Sequence, residues 1–212
     1  MFKSLFTISD EQAMWRVQTQ DDHSAFALLV ERWREKIRQL CIRMTGNIHS
    51  GDDLAQDVFA RVFEKRRDFK GASKFSTWLW RIAVNRCYDE LRRPVNRAKT
   101  ESIDDESGTV VLDIIAPDAH TPSDALAAQE DAEFVRQALM QLPENYRTVL
   151  VLRHYENLKL REIAEVLEVP EGTVNSRMAE ALSQLSRLLE PALGEIGEKK
   201  TPKQKGQELL IV

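Results

Sequence analysis

The sequence predicts an all-α protein: two small helical domains, an N-terminal helical bundle and a C-terminal helix-turn-helix domain, joined by an acidic flexible linker. Apolar residues recur at spacings of three and four in both halves of the chain, which is the period of an amphipathic helix. This periodicity fails between about residues 94 and 127, where prolines and acidic residues accumulate. The 212 residues are 42% hydrophobic and 30% charged, a composition typical of globular helical proteins.

The N-terminal bundle is predicted over residues 22–95, after an N-terminal extension of residues 1–21. Its first helix ends where Gly46 and Asn47 supply a stop signal. The second helix is broken by residues 70–73, and the third ends before Pro94 because the residue preceding a proline disfavours helix.

Residues 96–128 are predicted to form the linker, because they combine acidic composition with a lack of periodicity. Helical patterns return over residues 129–190, which we expect to form the second domain. The remaining residues 191–212 are rich in Lys, Gly and Gln, and we expect them to be a disordered tail.

Charge is distributed very unevenly, although the net charge is only −4. Residues 61–99 hold twelve Lys or Arg against four acids, a local charge of +8. Residues 100–134 hold ten acids and no Lys or Arg, a local charge of −10. Neighbouring blocks of opposite sign indicate two surfaces for different partners.

A short amphipathic segment, a tight turn and a second helix opened by small polar residues span residues 160–177, the pattern of a helix-turn-helix. Ala164 permits a close helix crossing, and Ile163, Leu167 and Val174 are the expected contacts between the two helices. The polar start of the second helix suits base edges and phosphates in a major groove. The alternative is an ordinary helical hairpin with a solvated polar face.

A second pattern interleaves aromatic residues with arginines over residues 75–93, directly after a basic loop. Aromatic rings can stack on unpaired bases while guanidinium groups hold phosphates, so the pattern suits single-stranded nucleic acid. The alternative is that the aromatic residues are core and the arginines are solvated. By spacing, Trp78 is predicted to be core and Trp80 to be the exposed ring.

Several functions are disfavoured by the sequence. Cys41 and Cys87 form no CxxC motif and are expected to be buried thiols in a reducing cytoplasm. The four histidines have no ligand spacing, so we expect neither a metal nor another cofactor. No apolar stretch is long enough to insert into a membrane. Without a carboxylate cluster, a nucleophile–base pair or a phosphate-binding glycine loop, no enzymatic activity is expected.

Four segments together resemble the extracytoplasmic-function sigma factors, the minimal branch of the bacterial sigma-70 family. They are residues 52–59 (DDLAQDVF), 75–85 (FSTWLWRIAVN), 142–147 (LPENYR) and the helix-turn-helix of residues 160–177. The resemblance covers about residues 22–190. It implies a factor that binds core RNA polymerase, recognises the −35 and −10 promoter elements and promotes strand opening. An anti-sigma factor is a further expected partner.

The resemblance also implies three sets of site residues. The set expected to bind core polymerase is Asp52, Asp53, Leu54, Gln56, Asp57 and Phe59. The set expected to bind the −10 element is Lys74, Phe75, Thr77, Trp80, Arg81, Asn85, Arg86, Arg92 and Arg93. The set expected to bind the −35 element is Arg161, Glu171, Gly172, Thr173, Asn175, Ser176 and Arg177. The acidic linker would occupy the path toward the RNA exit channel.

Two positions depart from the family pattern, since similar proteins often carry a basic residue in place of Asn175 and Arg in place of Glu180. Residues 135–190 hold seven basic residues and eight acids, so this domain attracts phosphate weakly. Its DNA binding would then depend on tethering to the polymerase. The alternative function is an autonomous helix-turn-helix transcriptional regulator.

Overall fold

The protein is described by a computed structural model that covers residues 8–93 and 133–199, with side chains up to residue 190. Every regular element in these two stretches is helical, which confirms the predicted fold class. The first stretch forms α1 (Asp10–Gln20), α2 (His23–Thr45), α3 (Ile48–Glu64), a short 3₁₀ turn (Arg66–Asp68) and α4 (Phe75–Arg92). The second forms α5 (133–141), α6 (Glu144–His154), α7 (Leu160–Leu167) and α8 (Glu171–Lys199).

Helix α1 lies within the residues predicted to be an N-terminal extension. Ser9 caps it by accepting a hydrogen bond from the Gln12 backbone, and the Gln12 side chain accepts one from the Ser9 backbone. Ala13, Met14 and Val17 are fully buried. The first bundle therefore has four helices rather than three, because the apolar residues of α1 pack against α2 and α4.

Two residues separate α2 from α3: Gly46 ends α2 and Asn47 caps the start of α3. Gly46 takes the left-handed conformation, with φ of 75°, and its N–H donates to the Ile42 carbonyl. Asn47 then caps α3 by accepting a hydrogen bond from the Ser50 N–H. Gly51 lets α3 approach α2 closely, since a Cβ there would lie 2.4 Å from Ile42.

The second half contains the predicted helix-turn-helix. Helix α7 ends at Leu167 with Glu168 as its C-cap, at φ of 54°, and α8 begins at Glu171, directly after Pro170. Ile163 and Val174 are fully buried and Ala164 is nearly so, which confirms the predicted helix contact. Helix α8 continues to Lys199, so residues 191–199 are helical rather than part of a disordered tail.

The two halves pack against each other, with α6 against α2 and α7 against α4, and their apolar residues form one continuous core. The halves approach each other closely at Gly46, where a Cβ would lie 2.6 Å from the Met140 sulfur. The Arg136 guanidinium donates to the Gly46 carbonyl at 3.2 Å. Most of the predicted extension before α1, the predicted linker 96–128 and the end of the predicted tail lie outside the described residues.

Candidate nucleic-acid and polymerase interfaces

The first turns of α8 present the residues predicted to read the −35 element. Glu171, Gly172, Asn175 and Ser176 are exposed, while Thr173 and Arg177 are half-buried. The Ser176 hydroxyl donates to the Gly172 carbonyl at 2.9 Å, which leaves its oxygen lone pairs available.

Arg161, the remaining member of that set, lies one helix earlier on α7. It is exposed and pairs with Glu165 at 3.4 Å. The structure therefore brings the polar start of α8 to the surface on a buried apolar support, as the docking geometry of a helix-turn-helix requires.

The predicted −10 set divides into surface and core residues. Five members of the set are exposed or half-buried on α4 or directly beside its ends: Lys74, Arg81, Asn85, Arg92 and Arg93. Phe75 and Thr77 are buried, so the prediction that they contact DNA does not fit this arrangement. Phe75 packs edge-on against Phe69 at 5.9 Å between ring centres, inside the first bundle.

The prediction for the two tryptophans was wrong. Trp80 is buried, with 3% of its surface exposed, and meets Trp33 edge-on at 5.7 Å between ring centres. Trp78 is only half-buried and lies 5.4 Å from Phe69. A ring as enclosed as Trp80 cannot stack on a base without repacking of the core, so Trp78 is the tryptophan of α4 that remains partly accessible.

Arg86 was predicted to contact DNA, but it is buried and acts within the bundle. Its guanidinium donates to Asp57 at 2.6 Å and lies 3.7 Å from Asp89. A buried guanidinium needs such partners, because an uncompensated charge in the core is costly. Asp57 therefore has a structural contact in addition to its predicted place at the polymerase surface.

Three of the predicted polymerase-binding residues line a cavity of about 410 Å³ between α2 and α3: Asp52, Gln56 and Phe59. Its apolar floor is formed by Val30, Ala55 and Phe59. The polar rim consists of Arg34, Arg38, Asp52 and Gln56. Arg38 and Asp52 form an ion pair across the rim.

The other members of this set occupy different environments. Asp53 and Asp57 are exposed on α3, whereas Leu54 is buried in the core and does not belong to the surface patch that was predicted. The sequence reasoning missed Val30, Arg34 and Arg38, because they lie on α2 and reach the site only through helix packing.

A buried charged cluster lies where α2 meets the end of α6, and no local sequence pattern predicts it. Arg43 pairs with Glu156 at 3.4 Å and lies over the Tyr155 ring at 4.3 Å. Burial raises the pKa of Glu156 to about 7, although Arg43 and Lys36 favour its charged form. Removal from water thus outweighs the attraction of the two cations.

Cys41 and Cys87 are buried free thiols whose sulfur atoms lie 3.8 Å apart in the first bundle. Their hydrogen bond, together with burial, raises the pKa of the Cys41 thiol. Within residues 8–93 and 133–199, no cluster of His, Cys, Asp and Glu side chains could hold a metal ion. In the same two stretches, no helix has the length and apolarity to cross a bilayer.

Comparisons with known proteins define the class to which this fold and these surfaces belong. The family model for sigma-70 region 2 matches residues 29–97, and the model for sigma-70 region 4 matches residues 135–185. The chain is 39% identical to the ECF RNA polymerase sigma factor SigW of Bacillus subtilis, over 79% of this chain and 90% of that protein.

Two solved structures share the fold. CnrH, in complex with the cytosolic domain of CnrY, gives a TM-score of 0.61 at 24% identity, over 86% of this chain and 95% of that one. The sigma factor RpoE, in complex with the anti-sigma factor NepR from Bartonella quintana, gives a TM-score of 0.57 at 20% identity. The match covers 78% of this chain and 96% of that one.

The protein is thus a transcription initiation factor of the sigma-70 family. Within that family, the chain belongs to the extracytoplasmic-function group and is an alternative RNA polymerase sigma factor.

Proposed function

We propose that this sigma factor directs core RNA polymerase to promoters by reading the −35 element with the start of α8 and opening the −10 element with the basic side of α4. The observation that carries the proposal is the polar start of α8. Glu171, Asn175 and Ser176 are exposed, whereas Val174 beneath them is fully buried. A helix held in this way can enter a major groove without losing its packing.

The −10 role rests on the surface residues of α4. Lys74, Arg81, Asn85, Arg92 and Arg93 supply phosphate and hydrogen-bonding contacts, and the half-buried Trp78 supplies an aromatic face. The flanking sequence is strongly basic, with a net +8 over residues 61–99. Charge of this density favours binding to a nucleic-acid strand.

Core polymerase binds, on this proposal, at the cavity between α2 and α3. An apolar floor of Val30, Ala55 and Phe59 inside a charged rim has the composition of a protein–protein interface. The exposed Asp53 extends the rim along α3 beyond Asp52.

On this proposal the protein acts in the cytoplasm together with the polymerase and catalyses no reaction itself. A regulatory anti-sigma factor is the second expected protein partner, because the sigma factor RpoE in the Bartonella quintana structure is bound to one.

Transcription in vitro tests the proposal. Purified chain added to core polymerase should give defined start sites on genomic DNA fragments, whereas core polymerase alone should not. The variant Asp53→Lys/Gln56→Lys should lose co-purification with core polymerase, and Glu64→Lys on an exposed part of α3 is the matched control.

Two results would contradict the proposal. Retention of core polymerase by Asp53→Lys/Gln56→Lys would exclude the cavity rim as the binding surface. Sequence-specific binding of the free chain to duplex DNA, without any effect on polymerase, would instead indicate an autonomous helix-turn-helix regulator.

A further inference from the structure

A surface loop of residues 70–74 connects the 3₁₀ turn to α4; we call it the 70–74 loop. Lys70, Gly71, Ala72 and Lys74 are exposed. Gly71 has φ of 68°, and a Cβ there would meet no atom of the described residues within 4 Å beyond its chain neighbours. Packing against the middle of the loop therefore does not define its shape, so its shape depends on how its two ends are held.

Local capping does not hold these ends. Lys65, which precedes the 3₁₀ turn, and Lys74, which precedes α4, make no side-chain capping bond within the described part of the chain. Such helix starts leave backbone N–H groups in need of other partners. The partners that the structure provides for this segment come from α1, which lies 48 to 64 positions earlier in the chain.

Gln18 of α1 holds the first end of the loop. Its side-chain amide donates to the Phe69 carbonyl at 2.6 Å and to the Arg66 carbonyl at 2.5 Å. Both N–H groups of the amide are thereby used, because it has two donors. Asp21, the C-cap of α1, adds an ion pair with the Arg66 side chain at 2.9 Å. The 3₁₀ turn is thus bound to α1 through its backbone and through one of its side chains.

Glu11, the second residue of α1, holds the other end. Its carboxylate accepts a hydrogen bond from the Phe75 N–H, the first of α4, at 3.1 Å. A negative side chain at this place also interacts favourably with the helix dipole. Burial raises the pKa of Glu11, but hydrogen bonds from backbone N–H groups together lower it more, so the pKa lies below its ordinary value. Glu11 therefore caps, as a carboxylate, a helix that begins 64 positions later.

Helix α1 is suited to hold both ends because its own position is fixed. Ala13, Met14 and Val17 are fully buried in the first bundle. Glu11 and Gln18 are seven residues apart, so they lie on one side of the helix and are separated by roughly 10 Å along its axis. The spacing of these two side chains on a rigid helix thus sets the separation of the loop ends.

The loop held in this way adjoins the side chains that the proposed function assigns to the −10 strand. Lys70 and Lys74 are its first and last residues. Phe69, whose carbonyl accepts from Gln18, packs its ring against that of the half-buried Trp78, at 5.4 Å between ring centres. A loop that is already ordered loses less conformational entropy when a strand binds, and its affinity for the strand is higher for that reason.

From these contacts we infer that Glu11 and Gln18 are positioning residues for the −10 strand, because they hold the 70–74 loop in the conformation that receives it. The inference rests on the proposed role of α4 in strand opening. Each of the two residues acts through the backbone of the loop rather than by contact with DNA. Helix α1, which the sequence analysis placed in an N-terminal extension, thereby contributes to promoter opening.

Two pairs of full-length variants test the inference. Gln18→Leu removes both amide donors and nearly keeps the size of the side chain, and Gln20→Leu makes the same change at an exposed position of the same helix. Glu11→Leu removes the acceptor, whereas Glu11→Gln keeps an oxygen that can accept the hydrogen bond from Phe75. Gln20→Leu and Glu11→Gln are the controls, and both should behave like wild type.

The first measurement is the affinity of the holoenzyme for a labelled oligonucleotide that carries the non-template −10 strand of a promoter mapped by transcription in vitro. Gln18→Leu and Glu11→Leu should each bind it roughly tenfold more weakly than their controls, as expected if the loop is in its binding conformation in about a tenth of the variant molecules. The log–log salt slope should stay the same, because the bound loop still presents both lysines to phosphate. Affinity for a duplex −35 fragment and co-purification with core polymerase should not change.

Hydrogen exchange in the free chain measures the order of the loop without DNA. The amides of residues 70–75 should exchange faster in Gln18→Leu and Glu11→Leu than in the controls, whereas those of the buried Met14 and Leu79 should not. Urea unfolding followed by circular dichroism checks the fold. If Gln18→Leu lowers the stability of the bundle, the Glu11 pair decides, because Glu11 is an exposed residue.

Strand affinities equal to those of the controls would overturn the inference. It would also be overturned by an equal loss of affinity for the −35 duplex, which would indicate general destabilisation. A wild-type holoenzyme that does not bind the −10 strand would refute the proposed function itself, and with it this role of α1. If wild type binds the strand and all four variants bind it alike, only the positioning by α1 is refuted.

Discussion

At the scale of single residues, the first bundle has a cluster of aromatic side chains from α2 and α4. Trp33 of α2 lies edge-on to both Trp80 and Phe75 of α4, at 5.7 and 6.4 Å between ring centres. The Trp33 indole N–H donates to Asp10 at 2.9 Å, which ties the start of α1 to the same cluster. Edge-to-face ring pairs of this kind add stability beyond the area they bury.

We predict that Trp80→Ala destabilises the first bundle by roughly 3–5 kcal/mol, the usual cost of deleting a buried tryptophan. Trp78→Ala, at a half-buried ring on the same helix, is the matched control and should cost less. Urea unfolding followed by circular dichroism measures both. A Trp80→Ala variant of normal stability that fails in promoter opening would show that Trp80 acts at an exposed surface.

The contact between Asp57 and Arg86 leads to a second prediction. Asp57→Lys places a cation beside the buried guanidinium and should lower the free energy of unfolding by roughly 1–2 kcal/mol, an amount reduced by the exposure of Asp57. Asp53→Lys, at an exposed position on the same helix, should lower the free energy of unfolding by less than half as much. Equal urea midpoints for the two variants would mean that Asp57 does not stabilise Arg86.

At the scale of helices, sequence periodicity located the elements better than it assigned their faces. The boundaries of α7 and the stop at Gly46 follow from local chemistry: an apolar stripe, a turn and a left-handed residue. Helix α4 behaves differently, because it is covered by α1, α2 and α3 on one side and by α6 and α7 on another. A helix buried around much of its circumference has no single stripe, so spacing could not distinguish Trp78 from Trp80.

Helix α8 carries the prediction that concerns promoter sequence. Asn175 is exposed on its first turns, whereas Arg177 is half-buried and lies near Tyr88 of α4, where burial raises the pKa of the phenol and the Arg177 charge partly offsets this rise. We therefore expect Asn175 to contact a base and Arg177 to contact a phosphate. With a randomised −35 library, Asn175→Ala should change the selected sequence.

Arg177→Ala, in contrast, should weaken all sequences alike and reduce the log–log salt slope by about 1. The roles are reversed if Arg177→Ala changes the sequence preference and Asn175→Ala does not. If neither variant affects sequence choice or strength, the start of α8 does not read the −35 element.

At the scale of the whole molecule, the contacts between the two halves could not be predicted from the sequence. Arg81 and Glu165 are 84 positions apart, and Arg43 and Glu156 are 113 apart. No periodicity or local motif reports such pairs, although the neighbouring blocks of opposite charge at residues 61–99 and 100–134 indicated more than one partner surface. The structure shows that part of the basic surface is satisfied by acids of the same chain.

Glu156 makes this arrangement sensitive to pH. Its side chain is 6% exposed and faces Arg43 and Lys36 of α2, with Tyr155 beside it. Its pKa is about 7 here, against an ordinary value of 4.5 when the group is in water. Between these values the packed state holds a proton that the separated state has lost, so packing is favoured at lower pH and weakened as the pH rises through 7.

We predict that the fraction of free protein with packed halves falls between pH 5 and pH 7.5, as measured by energy transfer between one dye on each half. Glu156→Gln, which is neutral throughout, should abolish most of this dependence and keep the halves together at the higher pH. His154→Gln is the matched control, because it removes another ionisable side chain near the end of α6. A wild-type pH profile retained by Glu156→Gln and lost by His154→Gln would assign the effect to the histidine.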